Sequence, residues 1–198
     1  MRRLALGTIA LGGLLAGGCA QQPSFDCSAA TGSVETLVCQ QPDLAALDRR
    51  LARAFAGAVQ VVPPGHLDKL QAEQRGWIKG RDDCWKSAMP IQCIDESYRY
   101  RIAELQSRFD LLQATGPFIY LCDDSEGDQV SALYYNSDPA TAKVSRGDQD
   151  QILFLVPSGS GAKYEGSNIM LWTQGNEALI RWGFEGYGNP IMHCEIQP

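Results

Sequence analysis

The side chains with the most distinctive chemistry in this 198-residue chain are its seven cysteines. Six of them lie between residues 27 and 194, and in an exported protein an even number is typical of a disulfide framework. No two have the CxxC spacing of zinc and thioredoxin-type sites, and two histidines are too few for a histidine-rich metal site. The sequence therefore predicts disulfides and no metal or other cofactor. The six are Cys27, Cys39, Cys84, Cys93, Cys122 and Cys194.

A Ser-Gly-Ser-Gly run at residues 158–161 is the second candidate, because glycines let the backbone approach a partner closely. On its own, such a run is typical of a flexible turn. Ser160 could be combined with His193 and an aspartate as a hydrolase triad, but the chain has no nucleophile-elbow motif. We therefore predict a protein that binds rather than an enzyme.

The N-terminus accounts for the odd cysteine. A short basic start is followed by apolar residues 4–16, too few to span a bilayer, and small residues then lead to Cys19. The segment resembles a bacterial lipoprotein signal, in which residues 1–18 are removed and Cys19 is lipidated. The alternative is a plain secretory signal cleaved near Ala20. Because Ala20 is not aspartate, the resemblance implies an outer-membrane anchor that faces the periplasm, with residues 19–24 as a linker.

Apolar residues between 24 and 113 recur at intervals of three and four, which is helical spacing. Trp77 and Trp85, eight residues apart, are expected in the core on one helix face. A bundle of this size has a thin core, so we expect four of the cysteines to staple it. The predicted elements are a short helix that Ser33 caps and three longer helices over 44–59, 67–85 and 94–112.

From residue 118 onward the pattern changes to short runs rich in aromatic and β-branched residues, separated by turn residues. Seven or eight such strands in about eighty residues favour a small antiparallel barrel or sandwich. The candidate strands are 118–122, 129–136, 141–145, 151–156, 168–173, 178–184 and 191–196.

The charge of the chain is negative and unevenly divided. Its net charge of −6 argues against a nucleic-acid partner. Residues 114–198 hold eleven acidic and four basic side chains, so the β half carries most of the excess. Such a surface favours solubility, and it would also attract a basic partner.

The helical half contains a series of short motifs, which are Phe25-Asp26-Cys27, Val34-Glu35 with Cys39, the segment 42–48, Glu73-Gln74-Arg75-Gly76-Trp77, Arg81-Asp82-Asp83-Cys84, Cys93 and Tyr98. They resemble the N-terminal domain of the LprI-type lysozyme inhibitors, a small cysteine-bearing helical domain, and the resemblance covers residues 25–109. The four cysteines of this half are expected to pair with one another. The simplest pairing is Cys27 with Cys39 and Cys84 with Cys93, and other pairings among them remain open.

The β half contains the motifs 158–164 and 171–178, together with Tyr120-Leu121-Cys122-Asp123-Asp124 and Cys194. These resemble the membrane-bound or periplasmic inhibitors of c-type lysozyme, the MliC/PliC family. The resemblance implies a β-barrel with a Cys122–Cys194 disulfide. In that family a serine of the first motif and a lysine of the second enter the lysozyme cleft, and the equivalent residues here are Ser160 and Gln174. The implied lysozyme-binding residues are Ser160, Gly161, Lys163, Tyr164, Thr173 and Gln174.

Together these features predict an α+β chain of two domains, a small disulfide-bearing helical bundle over 25–113 and a small antiparallel β-barrel over 117–198. The implied function is non-catalytic: a lipid-anchored protein blocks the active-site cleft of a c-type lysozyme and so protects peptidoglycan. The alternative is a structural or adaptor lipoprotein that binds another envelope protein or peptidoglycan. The expected partners are c-type lysozyme and, through the lipid, the membrane.

Overall fold

The computed structural model describes residues 22–122, 129–184 and 188–197. The predicted signal and Cys19 lie outside these residues. The described N-terminal part is helical, and none of its helices is long and apolar enough to cross a membrane. It consists of a 3₁₀ turn at Cys27–Ala29, α1 (Ser33–Gln40), α2 (Pro42–Val61), α3 (Leu67–Asp82), a second 3₁₀ turn at Asp83–Lys86 and α4 (Pro90–Arg108).

Two local predictions in this half are wrong. Ser33 is the first residue of α1 rather than its cap, and the side chain of Glu35 instead accepts hydrogen bonds from the backbone N–H groups of Thr31 and Gly32. Trp77 is half-buried and packs edge-on against Tyr98, but Trp85 is 62% exposed. The reason is that α3 ends at Asp82, so Trp85 leaves the helix face that Trp77 occupies.

A buried polar network joins the helices. The Tyr98 hydroxyl donates to Asp48 Oδ1 over 2.9 Å and accepts from Arg81 Nη1 over 2.7 Å. Asp48 and Arg81 are only 6% and 5% exposed, and Asp48 Oδ2 also accepts from the backbone N–H of Ser24. Because buried polar groups are costly unless they are paired, this network fixes α2, α3, α4 and the N-terminal segment in one arrangement.

The C-terminal part is a closed barrel of eight antiparallel strands in sequential order. Several strand ends differ from the prediction by one or two residues, β5 is an additional strand, and β1 begins at Ala114 rather than at residue 118. The strands are β1 (Ala114–Cys122), β2 (Gln129–Tyr135), β3 (Thr141–Arg146), β4 (Gln149–Val156), β5 (Ala162–Glu165), β6 (Ile169–Gln174), β7 (Glu177–Trp182) and β8 (Ile191–Ile196).

Three disulfides support the two halves, and all three expected pairings are confirmed. Cys27–Cys39 and Cys84–Cys93 lie in the helical part, while Cys122–Cys194 joins directly opposed residues of β1 and β8. The β1–β8 seam that closes the barrel contains only three residue pairs, so the last disulfide reinforces a short seam. Inside the barrel, alternate residues of the strands form one core, which includes Val130, Leu153, Leu171 and Ile180.

The helical part contacts the outer wall of the barrel through α4 and the residues after it. Arg99 pairs with Asp138 in the β2–β3 loop, and the Tyr100 ring lies 4.8 Å from that of Phe154. Asp110, which has a left-handed backbone φ of 51°, accepts hydrogen bonds from Lys143 and from the Tyr135 hydroxyl. These contacts fix the orientation of the two parts.

The Asp110 contact predicts a pH-dependent stability. Partial burial raises the pKa of the Asp110 carboxyl, but hydrogen bonds from Lys143 and Tyr135 outweigh burial and hold the pKa below its usual value. A lowered carboxyl pKa stabilises the folded state above the unfolded pKa, and this contribution is lost as the pH falls through the folded pKa. We expect Asp110→Asn, which tolerates the same φ, to lower the melting temperature at pH 7 and to matter less below about pH 4.

Thermal melts between pH 7 and pH 3 would test this expectation. Asp148→Asn is the matched control, because Asp148 lies in the exposed β3–β4 turn. Equal destabilisation by Asp110→Asn at every pH would show that the carboxylate charge is not what matters.

Candidate functional site

The two motifs singled out in the β half lie at the same end of the barrel. Residues 157–161 form the loop between β4 and β5, and residues 175–176 form the turn between β6 and β7. Because successive strands run in opposite directions, alternate connections share an end, and the β2–β3 loop lies there too. We call this the Ser160 end. Ala140 in the β2–β3 loop accepts a hydrogen bond from the Leu155 N–H, so this loop neighbours the Ser160 loop.

Ser160 and Gln174 are in direct contact although they are fourteen residues apart. The Gln174 amide Nε2 donates to Ser160 Oγ over 2.9 Å, and both side chains are exposed. A hydroxyl has one proton to donate and two lone pairs, so Ser160 can accept from Gln174 and still donate to a partner. The second N–H of the Gln174 amide is a further donor. The pair thus presents neutral hydrogen-bond donors to an incoming acceptor such as a carboxylate.

Two side chains outside the predicted set of site residues hold the Ser160 loop in place. Trp172 Nε1 donates to the backbone oxygen of Ser160 over 2.8 Å. The Ser158 hydroxyl lies 3.2 Å from the backbone oxygens of both Ser160 and Gly161. Sequence spacing does not reveal this role of Trp172, because the bond depends on β6 lying beside the Ser160 loop.

Gly161 is required by the close approach of two backbones. Its φ is +63°, and a Cβ built there would lie 2.1 Å from the carbonyl oxygen of Thr173. The next residue, Ala162, pairs with Thr173, whose hydroxyl donates to the Ala162 carbonyl over 3.3 Å. Gly161 and Thr173 therefore position the Ser160 loop through the backbone.

Lys163 and Tyr164 do not join this cluster. Lys163 lies on the outer wall and forms an ion pair with Glu165. Tyr164, which we expected at the binding surface, points into the barrel, where it is 9% exposed and its ring lies 5.4 Å from that of Tyr134. The physical reason is strand alternation: with Lys163 and Glu165 outward, the residue between them must face inward. Tyr164 is therefore removed from the candidate contacts.

The arrangement is not that of an activated nucleophile or of a metal centre. Ser160 Oγ accepts from an amide, whereas His193 lies on β8 opposite Leu179. Among the residues that the structure describes, no group of three or more His, Cys, Asp or Glu side chains could hold a metal ion. What the site offers is a glycine-containing loop, held by hydrogen bonds from Ser158 and Trp172, with exposed donors.

Comparison with known proteins assigns both halves. A family model described as lysozyme inhibitor LprI matches residues 27–105, and one described as membrane-bound lysozyme-inhibitor of c-type lysozyme matches residues 120–187. Lipoprotein LprI of Mycobacterium tuberculosis is 34% identical over 165 residues, which cover 82% of this chain and 80% of the relative. The membrane-bound lysozyme inhibitor of C-type lysozyme from Cupriavidus necator is 33% identical over 82 residues, 40% of this chain and 64% of the relative.

Proposed function

The chain belongs to the LprI family of lysozyme inhibitors, and from this premise we propose that it inhibits a c-type lysozyme by placing the Ser160 loop in the active-site cleft. The observation that carries the proposal is the 2.9 Å contact between Gln174 and Ser160, which presents both motifs as one exposed donor pair. Inhibition of this kind needs no catalysis by the inhibitor. It would protect peptidoglycan by excluding the sugar chain from the cleft.

The chemistry of lysozyme suits such a donor pair. The enzyme uses two carboxyl groups across the scissile bond, one protonated and one ionised. The Ser160 hydroxyl can donate to the ionised group or accept from the protonated one. Gly161, next to Ser160, leaves no side chain between the loop backbone and the cleft wall. The acidic β half, with a net charge of −7 over residues 114–198, would draw a basic enzyme towards this domain.

Substitutions at the donor pair test the proposal directly. We expect Ser160→Ala to weaken inhibition about tenfold to a hundredfold, because a hydrogen bond to a charged group is worth about 1.5–3 kcal/mol, without lowering the melting temperature. Gln174→Lys should tighten inhibition by about tenfold at most, because a charged donor replaces a neutral one and the desolvation of lysine offsets part of the gain. The measurement is the inhibition constant against a c-type lysozyme in a cell-wall lysis assay.

Two matched variants serve as controls for this assay. Ser167→Ala removes a hydroxyl from the β5–β6 turn at the opposite end of the barrel, and Gln71→Lys adds the same charge on an exposed face of α3. Neither should change the inhibition constant. If the chain failed to slow lysis even in large excess, a structural or adaptor role in the envelope would replace inhibition.

We further propose that Cys19 carries lipid and that the protein is anchored in the outer membrane, facing the periplasm. Residues 1–18 would be the signal, 19–24 a linker, and the two domains would follow. The Gln22 carbonyl already accepts a hydrogen bond from Arg49, so the three residues from Cys19 to Gln22 can span about 10 Å at most. The helical domain would therefore lie close to the bilayer.

The anchor can be tested by fractionation. Cys19→Ser should move the protein from the membrane fraction to the soluble fraction without changing its inhibition constant. An unchanged distribution would argue against lipidation. Ala20→Asp keeps the lipid and, by the sorting logic of bacterial lipoproteins, should retain the protein in the inner membrane.

A further inference from the structure

One face of α4 begins against the barrel and continues beyond it. Ala103 is fully buried although it belongs to neither hydrophobic core, and α4 is the helix that packs on β3 and β4. Tyr100 and Glu96 lie three and seven residues before Ala103, on the same face of the helix, and Met89 is the N-cap residue at the start of α4. Tyr100 is 45% and Met89 61% exposed, and Glu96 is exposed as well. The barrel thus contacts this face at Tyr100, whose ring packs against that of Phe154, and the face is exposed from Glu96 towards the N-terminus of α4.

The open part of this face projects past the Ser160 end. Asp110 is bonded to Lys143 within β3, whereas Arg99 is paired with Asp138 in the β2–β3 loop. Asp110 therefore lies beside the middle of the barrel wall, and Arg99, eleven residues earlier, lies at the rim of the Ser160 end. Residues 90–98 continue in that direction for about 13 Å, because α4 is one unbroken helix. The barrel end and this length of α4 form a ledge.

The far edge of the ledge is apolar and rigid. Trp85, Met89 and Ile91 are 62%, 61% and 45% exposed. The Cys84–Cys93 disulfide joins the turn that carries Trp85 to the first turns of α4. We call these three residues the tip. Exposed Trp and Met side chains on a rigid support are typical of protein contact surfaces.

We propose that the ledge and the tip are a second contact surface for the lysozyme whose cleft receives the Ser160 loop, an inference that rests on the proposed function. The Ser160 loop and the β6–β7 turn together offer only about seven residues, whereas a stable complex usually engages 20–30 residues a side. A protein seated on the Ser160 end must lie beside the projecting part of α4. Asp95, Glu96 and Asp138 outnumber Arg99, which pairs with two of them, so this side has a net negative charge that fits a basic enzyme, and the tip supplies an apolar anchor.

Single substitutions on the ledge test the proposal in the chain from residue 20 onward. Met89→Lys and Glu96→Lys should each weaken inhibition of c-type lysozyme by roughly tenfold. The loss for Glu96→Lys should lie mainly in the association rate and should shrink as salt is added. Met89→Leu, which keeps an apolar side chain, should retain inhibition.

Controls of the same chemistry lie away from the Ser160 end. Val61→Lys introduces lysine at the C-terminal end of α2, where Val61 is 54% exposed, and Asp148→Lys reverses a charge in the β3–β4 turn. Both should inhibit like the unsubstituted chain. Equal losses for the controls and the ledge variants would overturn the proposal, because the effect would then be one of overall charge.

The outcomes separate this proposal from the proposed function. If the unsubstituted chain inhibits and Ser160→Ala weakens it while Met89→Lys and Glu96→Lys do not, the ledge proposal fails and the cleft proposal stands. If neither the unsubstituted chain nor any variant inhibits lysozyme, both the cleft proposal and the ledge proposal fail. Unchanged inhibition by Met89→Lys, together with weaker binding to phosphatidylethanolamine–phosphatidylglycerol vesicles, would overturn the proposal and assign the tip to the membrane.

Discussion

Gly161→Ala should weaken lysozyme inhibition by about tenfold or more, the largest effect expected from adding one methyl group to this protein. The new Cβ would lie 2.1 Å from the Thr173 carbonyl oxygen, a distance that no side-chain movement can relieve because both groups are backbone. Relief requires β5 to separate from β6 at the Ala162–Thr173 pair. That movement would take Ser160 away from Gln174, and the donor pair would be lost. Stability should fall by about 1–3 kcal/mol as well.

Gly159→Ala is the matched control, two residues earlier in the same loop. A Cβ at Gly159 meets nothing within 4 Å, and its backbone does not require glycine. This variant should keep both the inhibition constant and the melting temperature within error. If Gly159→Ala were as damaging as Gly161→Ala, the loop would be intolerant of any side chain because it fits tightly in the enzyme, and the clash with Thr173 would not be the cause.

Removal of the Cys122–Cys194 disulfide should have the largest effect on stability. The bridge spans 72 residues, and closing such a loop removes about 4 kcal/mol of entropy from the unfolded chain. Domains are stable by only about 5–15 kcal/mol, so the double variant Cys122→Ala/Cys194→Ala should leave the barrel close to its unfolding threshold. The three-pair seam between β1 and β8 would then lose its covalent link, and opening there would expose two strand edges to aggregation.

Denaturant unfolding followed by tryptophan fluorescence would measure this loss. Cys27→Ala/Cys39→Ala is the comparison, because its bridge closes only 12 residues and is worth about 3 kcal/mol by the same loop model. The two double variants should also destabilise different domains. Cys122→Ala/Cys194→Ala should destabilise the barrel, and Cys27→Ala/Cys39→Ala should destabilise the helical domain. A barrel that kept its unfolding midpoint without Cys122–Cys194 would show that the seam is held by its hydrogen bonds and core alone.

The sequence predicted most of the fold because its periodicities are long. The stripe from Leu44 to Val59 spans nearly the whole of α2, and the seven predicted strands each overlap a strand of the structure. The missed strand, β5, has four residues and follows a glycine-rich loop, so no alternation was long enough to identify it. Trp85 was misplaced for a similar reason: helical spacing continues past Asp82, although the backbone tightens there into a 3₁₀ turn.

The candidate site was predicted only in part, since it depends on contacts between distant residues. Motif resemblance identified Ser160 and Gln174, and the structure brings them into contact. It also implied Tyr164, and only the alternation of β5 shows that this side chain belongs to the core. The hydrogen bond from Trp172 to the Ser160 carbonyl could not be derived from spacing, because it requires knowledge of which strand lies beside the loop.

The neutrality of the Ser160–Gln174 pair has a consequence for how inhibition responds to acid. Neither side chain gains or loses a proton between pH 4 and pH 9, so the pair itself contributes no titration to the affinity. The contribution of this pair to any pH profile of inhibition should therefore follow the ionisation of the lysozyme carboxyl groups that the loop meets. At these two positions the inhibitor reports the protonation state of the enzyme in the complex without adding a titration of its own.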